Sequence, residues 1–576
     1  MAVVGIDLGT TNTVVACLRG GRVSVLADEQ GRRLLPSVVS FGPGGEVLVG
    51  QAAKDRRVLD AANTIASVKR LIGRAWTGDD PLRARQRLAF DVTADAQDGL
   101  LVTARGQTYT VPEISALVLR RAKEIAERAL GEAVDRAVIT VPASFNELQR
   151  AATKVAGRVA GLDVLRIINE PTAAALAYGF GRSVKERIAV YDFGGGTFDC
   201  TLLDLSGNVF EVLATAGDSF LGGDDIDLAI AERMADAVLH SYHYDPRADA
   251  NRFELLRVAG EALKVMLSTL ETATTRLAAT GIGVGGARLD LDFALTRAEL
   301  EALARPLVER TFAVCEEALS MSRMPVSVFD KVILVGGSTR VPLVRQRVEE
   351  FFGSPPLDRV NPDEVVAVGA AIQAAALTES TRRRSIPPPP APGRRSSGAP
   401  SPLPAASGGP VSTLRPASAP TPQVGAVRTA ASSREAYPPV LVDVTPRALC
   451  VETAGGWCDV IVQRNAKIPC ERSRAFTTSS DMQTLVRVRV AQGEDALFRH
   501  NTYLGEVELS DLRPAARGEV ALHVSFEVDE SGTLNVKATE VSSGREARAT
   551  LQLVGIASAQ SIETMRRRTA AASGDG

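Results

Sequence analysis

Ile-Ala-Val-Tyr-Asp-Phe-Gly-Gly-Gly-Thr-Phe-Asp, residues 188–199, decides the fold once it is set beside Val-Val-Gly-Ile-Asp-Leu-Gly-Thr-Thr, residues 3–11. Each is an apolar strand ending in an aspartate, Asp192 or Asp7. Glycines follow (Gly194, Gly195 and Gly196, or Gly9), then threonines (Thr197, or Thr10 and Thr11). Each runs on into a second apolar stretch, residues 201–205 or 14–18, so each reads as a β-turn-β hairpin. Glycines permit positive φ and a close approach of backbone amides to an anion, and threonine hydroxyls add donors. An aspartate at the strand end can hold Mg²⁺ through water or orient an attacking water. Two such hairpins, about 185 residues apart, imply two similar lobes clamping one nucleotide from opposite sides.

The surrounding residues 3–378 alternate short β-rich runs (3–6, 38–41, 137–141, 188–191, 332–335) with amphipathic helical patterns (114–129, 147–159, 253–267). That alternation is the mark of an α/β architecture. A third glycine signal, Ile-Leu-Val-Gly-Gly-Ser-Thr-Arg-Val-Pro at 333–342, runs from a strand into a turn and a helix. It reads either as a cradle for ribose, α-phosphate or base, or as an ordinary strand-to-helix turn.

The whole chain has 576 residues, a formal charge of −2 and ordinary globular composition. It therefore has no global basic surface for nucleic acid. No apolar run is long enough for a membrane span, and Met1 to Asp7 lacks the basic region of a signal peptide. The cytoplasm is the expected address. Six scattered cysteines form no CxxC pair and four histidines form no cluster, so no structural zinc or histidine metal site is expected. The cysteines read as small buried hydrophobes, although the closeness of Cys450, Cys458 and Cys470 leaves a redox role open. Between Glu379 and Ala436 stand 12 of the 30 prolines, eight arginines, two glutamates and no aromatic residue. Such a stretch buries too little apolar surface to offset its ordering entropy, so residues 379–438 read as a disordered tether. Beyond it, short alternating runs with Gly, Asp and Ser turns predict an all-β sandwich at 439–555, followed by a short helix (560–568) and a tail to 576.

Taken in order, IDLGTTNT (6–13), VKRLIGR (68–74), ITVPASF (139–145), RIINEPTAAALAYGFG (166–181), YDFGGGTFD (191–199), FLGGDDID (220–227) and VGGSTRVP (335–342) closely resemble the ATPase domain of the 70-kilodalton heat-shock chaperones of the DnaK type. Past the tether, VLVDVTP (440–446), IPCERSRAFTTSSDMQT (468–484), LGEVELS (504–510) and FEVDESGTLNVKATEVSSG (526–544) resemble that family's interdomain linker and peptide-binding sandwich. The resemblance implies a two-lobed actin-like (ribonuclease-H-like) α/β ATPase domain over 1–378, a β-sandwich substrate domain, and no full helical lid. A lidless sandwich would exchange peptide quickly.

The resemblance also implies roles. Asp7, Asp192 and Glu170 surround Mg²⁺ and the attacking water, mostly through water, and Asp199 lies close by. Lys69 positions the γ-phosphate, and an ammonium there offsets charge developing in transfer. Gly9, Thr10, Thr11, Asn12, Gly194, Gly195, Gly196 and Thr197 contact phosphate. Glu261, Lys264 and Ser268 share one helical face and take the adenosine with Gly336, Gly337, Ser338, Arg340 and Asp363. The cofactors are ATP or ADP and Mg²⁺, with K⁺ as a further candidate. Pro142 and Arg150 match the elements that relay nucleotide state, while Arg166, Asn169 and Asp443 match the docking cluster for a J-domain co-chaperone. A nucleotide exchange factor is a further partner. Ser144 stands where the family has tyrosine, which weakens the expected relay. Val451, Phe476, Val486 and Val488 match a hydrophobic peptide pocket arched over by Ala454 and Ser479, although apolar residues at alternate strand positions also suit a sandwich core.

The first functional reading is an ATP-driven chaperone for extended hydrophobic segments of unfolded proteins. A second is a nucleotide-regulated scaffold or co-chaperone, motivated by Ser144, the short C-terminus and the tether. A third is a sugar-kinase-like phosphotransferase on the same fold.

Overall fold

The computed structural model describes residues 2–76, 88–96, 98–182, 185–282, 287–358, 360–385, 439–550 and 559–572. The quoted hairpins form the centres of two sheets. In the first, Ala2–Leu8 and Asn12–Arg19 pair antiparallel, with Val134–Val141 and Asp163–Asn169 added in parallel beside Ala2–Leu8. In the second, Lys185–Phe193 and Phe198–Ser206 make the hairpin and Lys331–Val335 lies parallel to the first strand. The same device, used twice, gives the two lobes.

Each lobe buries its own apolar cluster, and a third cluster joins them around the helices Glu170–Gly179 and Val365–Ser385. These helices pass very close. A Cβ added at Gly369 would lie 1.8 Å from the Ala173 carbonyl oxygen, and the alanine run 173–175 is fully buried there. Small side chains thus set the distance between lobes. The helices expected at 114–129, 147–159 and 253–267 appear as Val111–Leu130, Glu147–Val159 and Ala250–Leu267. The first two open on reciprocal capping boxes, Thr110 with Glu113 and Asn146 with Gln149.

One boundary differs from expectation. The helix beginning at Val365 runs to Ser385 rather than stopping at 378. It ends just before Ile386 and the proline run from Pro387, and a residue preceding proline is disfavoured in the α region. The remainder of the expected tether, 386–438, lies outside the described residues.

The chain re-enters as the strand Val440–Val444, which pairs in parallel with Val209–Asp218 of the second lobe. It also pairs antiparallel with Lys467–Ile468 of the following domain. That domain is the expected sandwich. One sheet orders Trp457–Val462, Leu449–Thr453, Val486–Gln492 and Thr502–Leu509; the other orders Cys470–Thr477, Ala521–Val528, Leu534–Glu540 and Glu546–Thr550. Their inward residues form one core. The final helix spans Ala559–Ala572, longer than the expected 560–568. It lies on the first lobe, with Met565 buried in that lobe's core and Arg120 donating to the Thr569 carbonyl oxygen at 2.8 Å.

Candidate active site

Between the lobes lies a cavity of about 370 Å³, lined from both hairpins, from the Gly336–Ser338 turn and from the helix carrying Glu261 and Lys264. The hairpins meet tightly at its floor. A Cβ at Gly195 would fall 1.8 Å from Thr11 Oγ1, across the lobes, so only glycine fits. Gly336 has φ +83° and sits against the Phe193 carbonyl oxygen, which ties the third glycine turn to the second hairpin. Ser338 Oγ donates to the Gly194 carbonyl oxygen at 2.8 Å, locking the same junction.

The reactive end of the cavity is acidic and nearly dry. Glu170 opens its helix directly after the strand ending at Asn169, and Lys69 sits on the single 3₁₀ turn Val68–Leu71. Lys69 Nζ and Glu170 Oε1 are 2.5 Å apart. Burial, then the neighbouring Glu170 charge, pushes the Asp7 carboxyl up to about 7, and Thr140 Oγ1 donates to it at 3.0 Å. The same two causes raise Asp199 to about 8 and lift Asp192 well above the ordinary carboxylate range. Carboxyls in this condition call for cations. Asp192 Oδ2 and Asp199 Oδ2 have no hydrogen-bond partner although they are buried, so the donor set fits a divalent cation. Among the described residues no three carboxyl, thiol or imidazole groups converge closely enough to hold a metal.

Of the nucleotide-site residues expected from sequence, all line this cavity except Gly196, Asp199 and Ser268. Gly196 is covered by Arg70, whose Nε donates to its carbonyl oxygen at 2.8 Å. Asp199 lies behind the wall and accepts from the Ser144 amide at 2.9 Å. Ser268 caps its own helix, donating to the Lys264 carbonyl oxygen at 2.9 Å. On the base side, Arg340 pairs with Asp363 at 2.5 Å and Lys54 with Glu261 at 2.8 Å. Lys264 donates to the Gly223 carbonyl oxygen at 3.1 Å and to Asp227 at 2.9 Å.

Sequence reasoning missed Arg70, Asp224, Asp225 and Asp227. Arg70 binds Asp225 at 2.7 Å, and Asp224 accepts from Ser67 at 2.6 Å and from Thr11 at 3.5 Å. This latch spans the two lobes over the phosphate hairpins. Its signal was present in the FLGGDDID stretch and in the residue next to Lys69, but acidic and basic residues apart in sequence do not announce a pair.

Of the residues expected to relay nucleotide state or to dock a J-domain partner, Arg150, Arg166, Asn169 and Asp443 meet at the seam with the sandwich. Arg150 donates to the Phe145 carbonyl oxygen at 3.2 Å and also to Asn169 Oδ1. Asn169 Nδ2 donates to both Asp443 oxygens at 2.8 Å. Arg166 donates to the Glu530 carbonyl oxygen at 2.9 Å, and the Glu147 amide donates to Gln492 Oε1 at 3.1 Å. Pro142 accepts from the Phe145 amide at 3.1 Å. The peptide candidates divide. Val451 and Val488 are buried among the sandwich core, Phe476 and Val486 pack partly buried against it, and Ala454 and Ser479 are exposed.

A family model described as "Hsp70 protein" matches residues 3–386 and 424–574. The chain is also similar to "Chaperone protein dnaK1" of Synechocystis sp., with 40% identity over 567 residues, which cover 98% of this chain and 74% of that protein.

Proposed function

Because this chain belongs to the Hsp70 family, we infer that its interlobe cavity is the hydrolytic centre and that the seam around Asp443 carries the signal to the sandwich. The protein is an ATP-dependent chaperone and an ATP hydrolase that binds unfolded polypeptide. The scaffold and sugar-kinase readings are not favoured. No described helix is long and apolar enough to cross a membrane. The proposed address is the cytoplasm.

The observation that carries the site assignment is the dehydrated Lys69–Glu170 pair facing Asp7 and Asp192 between two phosphate-binding hairpins. Residues Gly9–Asn12 and Gly194–Thr197 bind the polyphosphate from opposite lobes. Lys69 stabilises charge at the transferred phosphoryl group, and Asp199 or Glu170 orients the water. Asp7, Glu170 and Asp192 would hold Mg²⁺, mostly through water, and the cation would supply charge to offset the polyphosphate, with K⁺ as a second candidate. Glu261, Lys264, Ser268, Gly336, Gly337, Ser338, Arg340 and Asp363 take the adenosine side.

The proposed division is an ATPase domain over 1–378, with its last helix reaching 385, a tether to 438, a peptide-binding sandwich over 439–555, and a terminal segment over 556–576. Extended peptide would bind by strand addition beside Val451, Phe476, Val486 and Val488, under an arch of Ala454 and Ser479. Arg166, Asn169 and Asp443 would receive a J-domain co-chaperone, and a nucleotide exchange factor would open the lobes. Single-turnover ATP hydrolysis, with and without a model peptide, tests both halves of this reading. Peptide-stimulated turnover is the expected result. Turnover that ignores peptide overturns the coupling, and absent turnover overturns the site.

A further inference from the structure

Cys450 and Cys458 stand on the two strands of one hairpin in the sandwich, with their sulfurs 3.2 Å apart. Cys450 lies opposite Val460, and Glu452 lies opposite Cys458, so the two cysteines are diagonal neighbours on one face of the sheet. This is the outer face. Both sulfurs belong to a small cluster with Ala491 and Phe498, separate from the main core to which Val451 of the same strand contributes.

Their surroundings assign different parts to the two thiols. Cys450 is fully buried and its S–H points at Cys458 Sγ or at the Ala491 carbonyl oxygen, 3.5 Å away. Cys458 is half-buried, beside the exposed Trp457, and Asn501 Nδ2 donates to its sulfur at 3.2 Å. Burial pushes the Cys450 thiol up, which keeps it protonated at rest and leaves the first attack on an oxidant to Cys458. Cys17, Cys200 and Cys315 are buried within the lobes, whereas Cys470 begins a strand of the opposite sheet.

We propose that Cys450 and Cys458 form a reversible intramolecular disulfide, a peroxide-responsive site on the outer face of the sandwich. The Cys458 sulfur attacks one peroxide oxygen, the O–O bond breaks, and one water leaves as Cys458 becomes a sulfenic acid. The Cys450 sulfur then attacks the Cys458 sulfur and gives up its proton, and the hydroxyl departs as a second water. Two thiols lose two electrons in total, and peroxide gains them. Closure needs the sulfurs to move from 3.2 Å to about 2.05 Å. A small-molecule dithiol reverses the step by exchange.

Hydrogen peroxide treatment of the full chain, alkylation under denaturing conditions and non-reducing peptide mapping test this. Trypsin releases Ala448–Arg464 with both cysteines, while Cys470 travels in Ile468–Arg472. The expected result is loss of both alkyl groups from Ala448–Arg464 and a mass lower by two hydrogens, reversed by dithiothreitol. Cys470→Ser should keep that signature, and Cys458→Ser should abolish it while Cys450 remains alkylated. Cys458 bonded to Cys470 or to another chain, over-oxidised beside an alkylated Cys450, or unreacted at doses that modify Cys470, would each overturn the proposal. The readout is a mass, so it stands apart from ATPase activity and from the peptide-cleft reading.

Discussion

Lys69 Nζ lies 2.5 Å from Glu170 Oε1, and only 5% of the lysine and 7% of the glutamate remain accessible. One residue comes from a 3₁₀ turn and the other from a helix N-terminus, 101 positions apart. An ion pair this dry is not placed for stability alone, because desolvating both charges offsets most of their attraction. Its place at the acidic end of the cavity is the ground for the catalytic role proposed for it.

Replacing Lys69 with alanine should lower the single-turnover hydrolysis rate by about a hundredfold or more, the usual cost of one transition-state donor. Nucleotide affinity should change far less, since the hairpins remain. Rapid-quench hydrolysis beside equilibrium binding distinguishes the two. A parallel loss of both would show that Lys69 acts in binding.

Removing Mg²⁺ should weaken ATP binding, because Asp7, Glu170 and Asp192 then face the polyphosphate uncompensated. Asp192→Asn should bind ATP more tightly than the native chain in the presence of a chelator, and less tightly in its absence. Calorimetry under both conditions checks the crossover. Without a crossover, Asp192 is not part of the cation's shell.

Asp443→Ala should uncouple the domains. Asn169 Nδ2 loses both acceptors, and a buried donor left unpaired costs about 1–3 kcal/mol, roughly a five- to 150-fold shift against docking. ATP-accelerated release of a fluorescent peptide should disappear while ATP hydrolysis persists. Retained acceleration would remove Asp443 from the relay.

Docking should also depend on pH through Glu147. Its carboxyl is buried where the α/β domain meets the sandwich, and burial pushes it up to about 8, against the pull of Arg150 and with some help from Asp529. Released from the seam, it returns towards the ordinary 4.5. The docked form therefore holds a proton that the free form sheds, and docking weakens as pH rises from about 4.5 to about 8, by up to about tenfold per unit. Energy transfer between dyes on the two domains, followed across that range with ATP, should show this slope. Glu147→Gln should flatten it. An equally steep slope in the variant would assign the proton elsewhere.

Much of this site could be read from residue order, for a local reason. A strand, an aspartate, glycines and threonines are contiguous, so both phosphate hairpins announced themselves, whereas the third glycine turn read equally as a cradle or as an ordinary strand-to-helix turn. Lys69 and Glu170 needed the resemblance, because nothing local in VKRLIGR or NEPTAAALAYG distinguishes a buried ion pair from a solvated helix face. The Arg70–Asp225 latch and the union of Val440–Val444 with the second lobe's sheet are long-range events. They follow from packing, and no local spacing encodes them. The helix that continues to Ser385 shows a smaller limit, since composition blurs a boundary that the first proline run fixes.

The strand Val440–Val444 fills the flank of the second lobe's sheet, where Val440, Leu441 and Val442 stand beside Val209, Phe210 and Glu211. When this segment leaves, two sticky surfaces appear together: an unpaired row of amides and carbonyls on the lobe, and a free apolar strand able to add to any open edge. The resting chaperone thus carries within itself the kind of aggregation-prone segment it is built to capture in others. Docking is then also self-protection. Conditions that hold the domains apart should leave the protein prone to pairing with its own copies, edge to edge.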